Sequence, residues 1–249
     1  MGETTKMDRG ATLGWTESDG VPLLLGAAPS VPEVKAAFTC REGGSSESPF
    51  DTLNLSSFVG DEPKRVADNR DRALDAGGFR PGSIALVRQM HGDQILESDG
   101  TSGVLGEGDG VVSGKGGMTA CVLAADCVPI LVAGHNEVVA VHAGWRGLVG
   151  GVLERALERV APVRAAWVGP SIRDCCYRVR VDVLDAFARA DLPTGEGRVD
   201  PGAAAATILE RHGVGDFAAA SECTSCDGRF FSHRWDGVTG RQGGFVAWT

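Results

Sequence analysis

Ala125-Asp126-Cys127-Val128-Pro129, followed by Val141-His142-Ala143-Gly144-Trp145-Arg146-Gly147, sets a cysteine, a histidine and an arginine at the ends of two apolar segments. Met118 to Ala124 and Val138 to Val141 are apolar runs of strand length and predict short buried strands. After His142 the period changes: Leu148, Val152, Leu153, Ala156, Leu157 and Val160 recur at three- and four-residue steps until Pro162. That spacing predicts one helix with Arg146 at its entrance. Upstream, Ser83 to Gln89 is another apolar run, and it ends in Gln89-Met90-His91-Gly92.

Further out, Asp61-Glu62-Pro63 predicts a helix start with Asp61 as N-cap, running through Val66, Asn69, Arg70 and Leu74 to Gly77-Gly78. Phe50 to Gly60 reads as loop. Ala165 to Val168 and Phe217 to Ala220 read as strands, and so does the end from Gly243 to Thr249. Val181 to Ala190 reads as a helix, as does Pro201 to His212 with Asp200 as cap. Residues 1–30 carry no clear pattern and are expected to be irregular. Strands and helices interleave without a repeat, so a single α+β domain over residues 1–249, with mixed β-sheets layered with helices, is expected.

Composition removes several classes of function. A formal charge of −9 with scattered basic residues opposes binding to a phosphate backbone, so no nucleic-acid partner is expected. The chain has no apolar run long enough to cross a bilayer, and Met1-Gly2-Glu3-Thr4-Thr5-Lys6 lacks the start of a secretory signal; no membrane partner and a cytoplasmic location are expected. Seven cysteines in a chain of 249 residues suit free thiols in a reducing compartment. Assembly is expected to go no further than a monomer or small homo-oligomer.

His91, Cys127 and His142 form a set that suits zinc while leaving one coordination position open. A metal there would bring a water toward neutral pKa and supply a hydrolytic nucleophile. The same residue types allow a metal-free reading in which Cys127 is a nucleophile activated by a histidine. Each residue alone is also compatible with a packed histidine or a buried apolar thiol. Asp126 is a candidate general acid, or a carboxylate that hydrogen-bonds a loop.

These blocks resemble the laccase-domain family of bacterial polyphenol-oxidase-like proteins, now described as multifunctional purine nucleoside enzymes. The resemblance covers Leu53-Asn54-Leu55, Gly60-Asp61 with Asn69-Arg70, Gln89-Met90-His91-Gly92, Asp109-Gly110, Ala125 to Pro129 and His142 to Gly147. It continues through Gly169-Pro170-Ser171-Ile172, Cys176-Tyr177, Cys223-Thr224 and Phe230-Phe231-Ser232 with Arg234. It implies a cysteine-hydrolase-like architecture and zinc at His91, Cys127 and His142. It also implies phosphorolysis of adenosine, inosine, guanosine and methylthioadenosine, with adenosine deamination besides; the laccase label implies copper. His233 stands where the resemblance leads one to expect a tyrosine.

Phosphorolysis needs a guanidinium to hold phosphate in line with C1′ of the ribose, and Arg146 is the candidate. Asn54 and Arg70 could reach the substrate, or serve as a turn-forming amide and a solvated helix arginine. Trp145 could stack on a base, although a tryptophan at a helix start is commonly part of the core. Cys223-Thr224-Ser225-Cys226 has the spacing of half a zinc knuckle, with no second such pair to complete it; with the vicinal Cys175-Cys176 it reads as structural thiols. Cys40 and Cys121 suggest only packing, and His135 and His212 suggest surface positions. A copper-dependent phenol oxidase is the rival from another class, but a multicopper site needs about ten histidines and this chain has five. A cysteine hydrolase using Cys127 and His142 is the third reading.

Overall fold

The computed structural model describes residues 10–249, and the reading of the first six residues therefore lies outside the described region. The chain forms β1 (Thr12–Ser18), β2 (Val21–Ala27), β3 (Val34–Thr39), α1 (Pro63–Ala76), β4 (Ile84–Arg88), β5 (Ile95–Glu97), β6 (Gly103–Glu107) and β7 (Gly110–Gly114). It continues with β8 (Thr119–Ala124), β9 (Val128–Ala133), β10 (Glu137–Ala143), α2 (Trp145–Gly150), α3 (Val152–Arg159), β11 (Ala165–Val168) and α4 (Val181–Arg189). The remainder is β12 (Thr194–Gly195), β13 (Arg198–Val199), α5 (Pro201–Arg211), β14 (Phe217–Ala219), α6 (His233–Asp236) and β15 (Gln242–Trp248). This is an α+β fold with mixed sheets and helices on both outer faces.

One sheet has the order β1-β2-β3-β15-β8-β4-β6 and the other β14-β11-β9-β10-β7-β5. Strand alternation sorts their side chains into layers. In β9 and β10, Leu131, Ala133, Val138 and Ala140 meet Phe38, Ala120, Val122 and Val246 of the first sheet. Val128, Ile130, Val132, Val139 and Val141 point the other way, onto Leu148, Leu153, Ala156, Phe187 and Ile208 of the helices. The outer face of the first sheet packs Leu23, Cys121, Leu123 and Phe245 against Leu53, Leu55 and the α1 residues Ala73 and Leu74. The order is therefore helix, sheet, sheet, helices. Cys40 and Cys121 are buried, whereas His135 and His212 are exposed.

Three expectations need correction. Residues 12–27 form a hairpin whose second strand buries Val21, Leu23 and Leu24, so the irregular region expected over residues 1–30 is strand over this part. Asp61 does not cap α1: the N-cap is Glu62, and the Asp61 carboxylate instead accepts from Ser46 Oγ at 2.6 Å and Asn54 Nδ2 at 2.8 Å. The helix expected from Arg146 to Pro162 is two helices, because Gly151 adopts φ +87° between them.

The chain passes from one sheet to the other between β4 and β5, between β6 and β7, and between β8 and β9. These passages carry His91, Asp109 and Cys127 respectively. Gln242, at the start of β15, is paired with Ala124 at the end of β8, which brings the preceding Arg241 to the same end.

Candidate metal centre and its cavity

Asp109 joins the passage that carries His91 to its own passage and to the end of β10. Its carboxylate accepts the backbone N–H groups of Met90, His91 and Gly92 at 3.2, 2.9 and 2.7 Å. It also bonds His142 Nδ1 at 2.8 Å, which leaves Nε2 free for a ligand. His91 has φ +60° and Asp126 φ +96°, conformations that cost non-glycine residues about 1–3 kcal/mol each and persist where the surroundings impose them. For His91 the imposing contact is the Asp109 carboxylate. For Asp126 it is a buried network: Oδ1 accepts from Thr224 Oγ1 and Ser232 Oγ, both at 2.7 Å, and Oδ2 from Arg234 N at 2.7 Å.

One donor atom from each of His91, Cys127 and His142 lies within 4.8 Å of the others. The two imidazoles meet edge to face with centroids 4.9 Å apart. His142 is buried, Cys127 half-buried and His91 exposed, so the donors open to one side. Gly144 is required here: a Cβ at that position would stand 2.8 Å from His91 Cδ2 and 3.3 Å from Cys127 Sγ. Two imidazole nitrogens and one thiolate, backed by a carboxylate on His142, suit a borderline-soft divalent ion such as zinc.

The open side faces a cavity of about 650 Å³, within the roughly 300–1,000 Å³ usual for small-molecule sites. Phe58, Val59, Trp145, Ile172 and Tyr177 give it apolar walls, and Arg88, Arg146, Arg234 and Arg241 give it positive charge. Arg88 lies 4.0 Å from Glu107. Among the described residues the guanidinium groups of the other three arginines have no carboxylate partner. Arg146 lies over the Trp145 ring at 4.4 Å, Arg234 over Tyr177 at 4.9 Å, and the Arg241 guanidinium donates only to the carbonyls of Thr239 and Gly240.

Residues 35–249 match the family model described as multi-copper polyphenol oxidoreductase laccase. The chain belongs to this family. This laccase-family chain is 34% identical over 239 residues to a purine nucleoside phosphorylase of Streptomyces coelicolor, a match covering 90% of this chain and 99% of the relative. It is 34% identical over 235 residues to the purine nucleoside phosphorylase YfiH of Escherichia coli, covering 88% and 96%. A crystal structure of a Neisseria meningitidis protein superposes with a TM-score of 0.80 at 33% identity, covering 91% of this chain and 98% of that one.

In this laccase-like domain the electrostatics of the bare donor set are strongly coupled. Burial opposes ionisation of Cys127, but the charge and hydrogen bonds of His142, then His91, outweigh it and bring the thiol down to about 6. Burial likewise opposes protonation of His142, yet Cys127 and Asp109 raise it to about 9. Asp109 stays below the usual carboxylate range despite its burial, through the His142 bond and the N–H groups of Gly92 and His91. Without an ion, the cluster is a thiolate beside an imidazolium.

The other sequence candidates fall in different places. Asn54 is fully buried and lines no part of the cavity; its amide donates to Ser56 O and Asp61 Oδ2, and its Oδ1 accepts from Arg241 N at 2.9 Å. Arg70 is likewise absent from the walls, because its Nε is spent on Leu55 O at 2.8 Å. Both hold the 52–56 loop, from which Ser56 reaches the cavity. Trp145 is half-buried, packing on the helical core with one side on the cavity. His233 is exposed on the rim, its Nδ1 2.7 Å from Gly237 O. Sequence reasoning gave no role to Asp109, Tyr177 or Arg241. The one available signal was Asp109-Gly110 at a strand start, where a carboxylate meets the first backbone turn.

No helix among the described residues is long and apolar enough to cross a membrane.

Proposed function

We propose that this cavity carries out phosphorolysis of purine nucleosides at a zinc centre held by His91, Cys127 and His142. The observation that carries the reading is the joining of an open three-donor set to three arginines without carboxylate partners in one cavity, in a chain whose relatives are named purine nucleoside phosphorylases. A zinc ion there would supply a Lewis-acid face toward the cavity.

Arg146, Arg234 and Arg241 bind the phosphate dianion and hold one oxygen in line with C1′. As that oxygen forms its bond to C1′, the bond from C1′ to the purine nitrogen breaks and its electron pair leaves on the base, which takes up the proton that the hydrogen phosphate dianion gives up. The three guanidinium groups hold phosphate where an attacking water would have to stand, so that phosphate rather than water is the acceptor of the ribosyl group. Asp126 is spent on three internal hydrogen bonds and acts as a positioning residue for the Cys127 loop. Adenosine, inosine, guanosine and methylthioadenosine are the substrates in this reading, with adenosine deamination as a second activity. A reducing, cytoplasmic compartment is part of this reading, and the free thiols are consistent with it.

One observation favours a second reading. Asp109, His142 and Cys127 form a carboxylate-imidazole-thiol line of the kind that activates a cysteine nucleophile. Zinc content separates the two. Phosphorolysis by zinc-loaded protein, lost on chelation and restored by zinc, supports the metal reading; activity that survives chelation and is abolished by alkylating Cys127 supports the hydrolase.

A further inference from the structure

The fold brings together four cysteines that the cavity does not use. Sγ atoms of Cys175, Cys176, Cys223 and Cys226 all lie within 4.8 Å of one another. Cys175 is 3.7 Å from Cys176 and 3.9 Å from Cys226. A tetrahedron of sulfurs bound to zinc at about 2.3 Å has edges of about 3.8 Å, whereas a disulfide bond is about 2.05 Å. We propose that these four thiols bind a single structural zinc ion as a tetrathiolate site, separate from the cavity centre.

The backbone around the cluster is arranged as such a site needs. Cys226 N and Asp227 N both donate to Cys223 O, at 3.3 and 3.0 Å, a turn that brings the two sulfurs of the Cys223–Cys226 pair to one side. Arg173 N donates to Cys223 Sγ at 3.3 Å, an interaction that stabilises a metal-bound thiolate. Four thiolates and one divalent ion carry a net charge of −2. The Arg198 guanidinium, on the carbonyls of Asp174 and Cys175 at 3.1 and 3.2 Å, offsets part of it.

The ion would cross-link the loop after β11 to the loop after β14, which also meet in the bridge between Ser171 and Cys223 and through Arg173, bonded to Cys223 Sγ and Ala220 O. That link bears on the cavity. Thr224, between two of the ligands, holds Asp126 at 2.7 Å, and Tyr177, next to Cys176, lines the wall. Two donors from each loop close the coordination shell, which suits a structural ion and leaves no position for substrate.

The test is a cobalt titration of the reduced, chelator-stripped full-length protein, read by visible absorption. Tetrathiolate cobalt gives intense sulfur-to-metal charge-transfer bands and strong ligand-field bands. Two equivalents are expected to bind to the unaltered chain. In Cys127→Ala one equivalent remains with the tetrathiolate spectrum, and in the double variant Cys223→Ser, Cys226→Ser that spectrum disappears. Absence of a tetrathiolate spectrum from the unaltered chain would overturn the proposal, whatever the variants do. So would an intact mass, for protein purified anaerobically, lower by two hydrogens with the Cys175 peptide disulfide-linked.

Discussion

At the end of the sandwich, two imidazoles and a thiol come from separate sheet crossings and a strand end, are backed by a buried carboxylate, and open to a cavity. Between the loops after β11 and β14, four thiols come from two sequence-local pairs, two of them exposed, and line no part of that cavity. The first set has fewer donors than a divalent ion wants and the second has enough to close its shell. Donor count and access, rather than the presence of cysteine, separate a centre built for chemistry from one built to hold a loop.

The largest effect expected belongs to the open set. Cys127→Ala and His142→Ala should each lower phosphorolysis on the order of a thousandfold with the circular dichroism spectrum retained. A variant that keeps phosphorolysis would break the comparison at once. Asp109→Asn comes next. Losing the carboxylate behind His142 should weaken zinc binding about 10- to 100-fold, read by competition with a chelating dye, while cobalt at the four-cysteine cluster keeps its spectrum.

Arg146→Ala should raise the KM for phosphate roughly tenfold with a smaller change in kcat, because a charge-assisted contact to the anion is lost. Partial recovery in Arg146→Lys would show that charge matters as well as the planar fork. An unchanged phosphate KM would move anion binding to Arg234 and Arg241.

The smallest effect is on the pH dependence of the metal-free protein. Cys127 is depressed to about 6, so its contribution to stability is present above its ordinary value of 9.0 and lost as pH falls through about 6. His142 is raised to about 9, so its contribution is complete below 6.5 and lost as pH rises through about 9. Between 6.5 and 9 the two contributions change in opposite senses and cancel, so the Tm of chelated protein should be level across that range and fall as pH drops from 6.5 through about 6. His142→Ala should move the Cys127 thiolate absorbance to higher pH.

Much of the open set was legible because each donor ends an apolar run, and strand ends are where side chains leave a core. The helical period after His142 placed Arg146 at a helix start for the same reason. The sheet crossings were not legible. They depend on β15 inserting between β3 and β8, a pairing of distant segments that no local pattern encodes. Val128–Ala133 is a buried central strand with Pro129 inside it, and a proline within an apolar run weakens the strand signal. The four-cysteine cluster was hidden because its two pairs lie far apart in sequence, and neither alone has the donors to hold an ion. Arg241 gave no signal, since its lack of a carboxylate partner is a property of the folded surroundings.

The most direct measurement is to incubate zinc-assayed protein with adenosine, with and without phosphate, and separate the products by chromatography. Adenine and ribose 1-phosphate formed only when phosphate is present are the result the account predicts. Unchanged adenosine in the presence of phosphate, from protein shown to carry zinc at His91, Cys127 and His142, would contradict it.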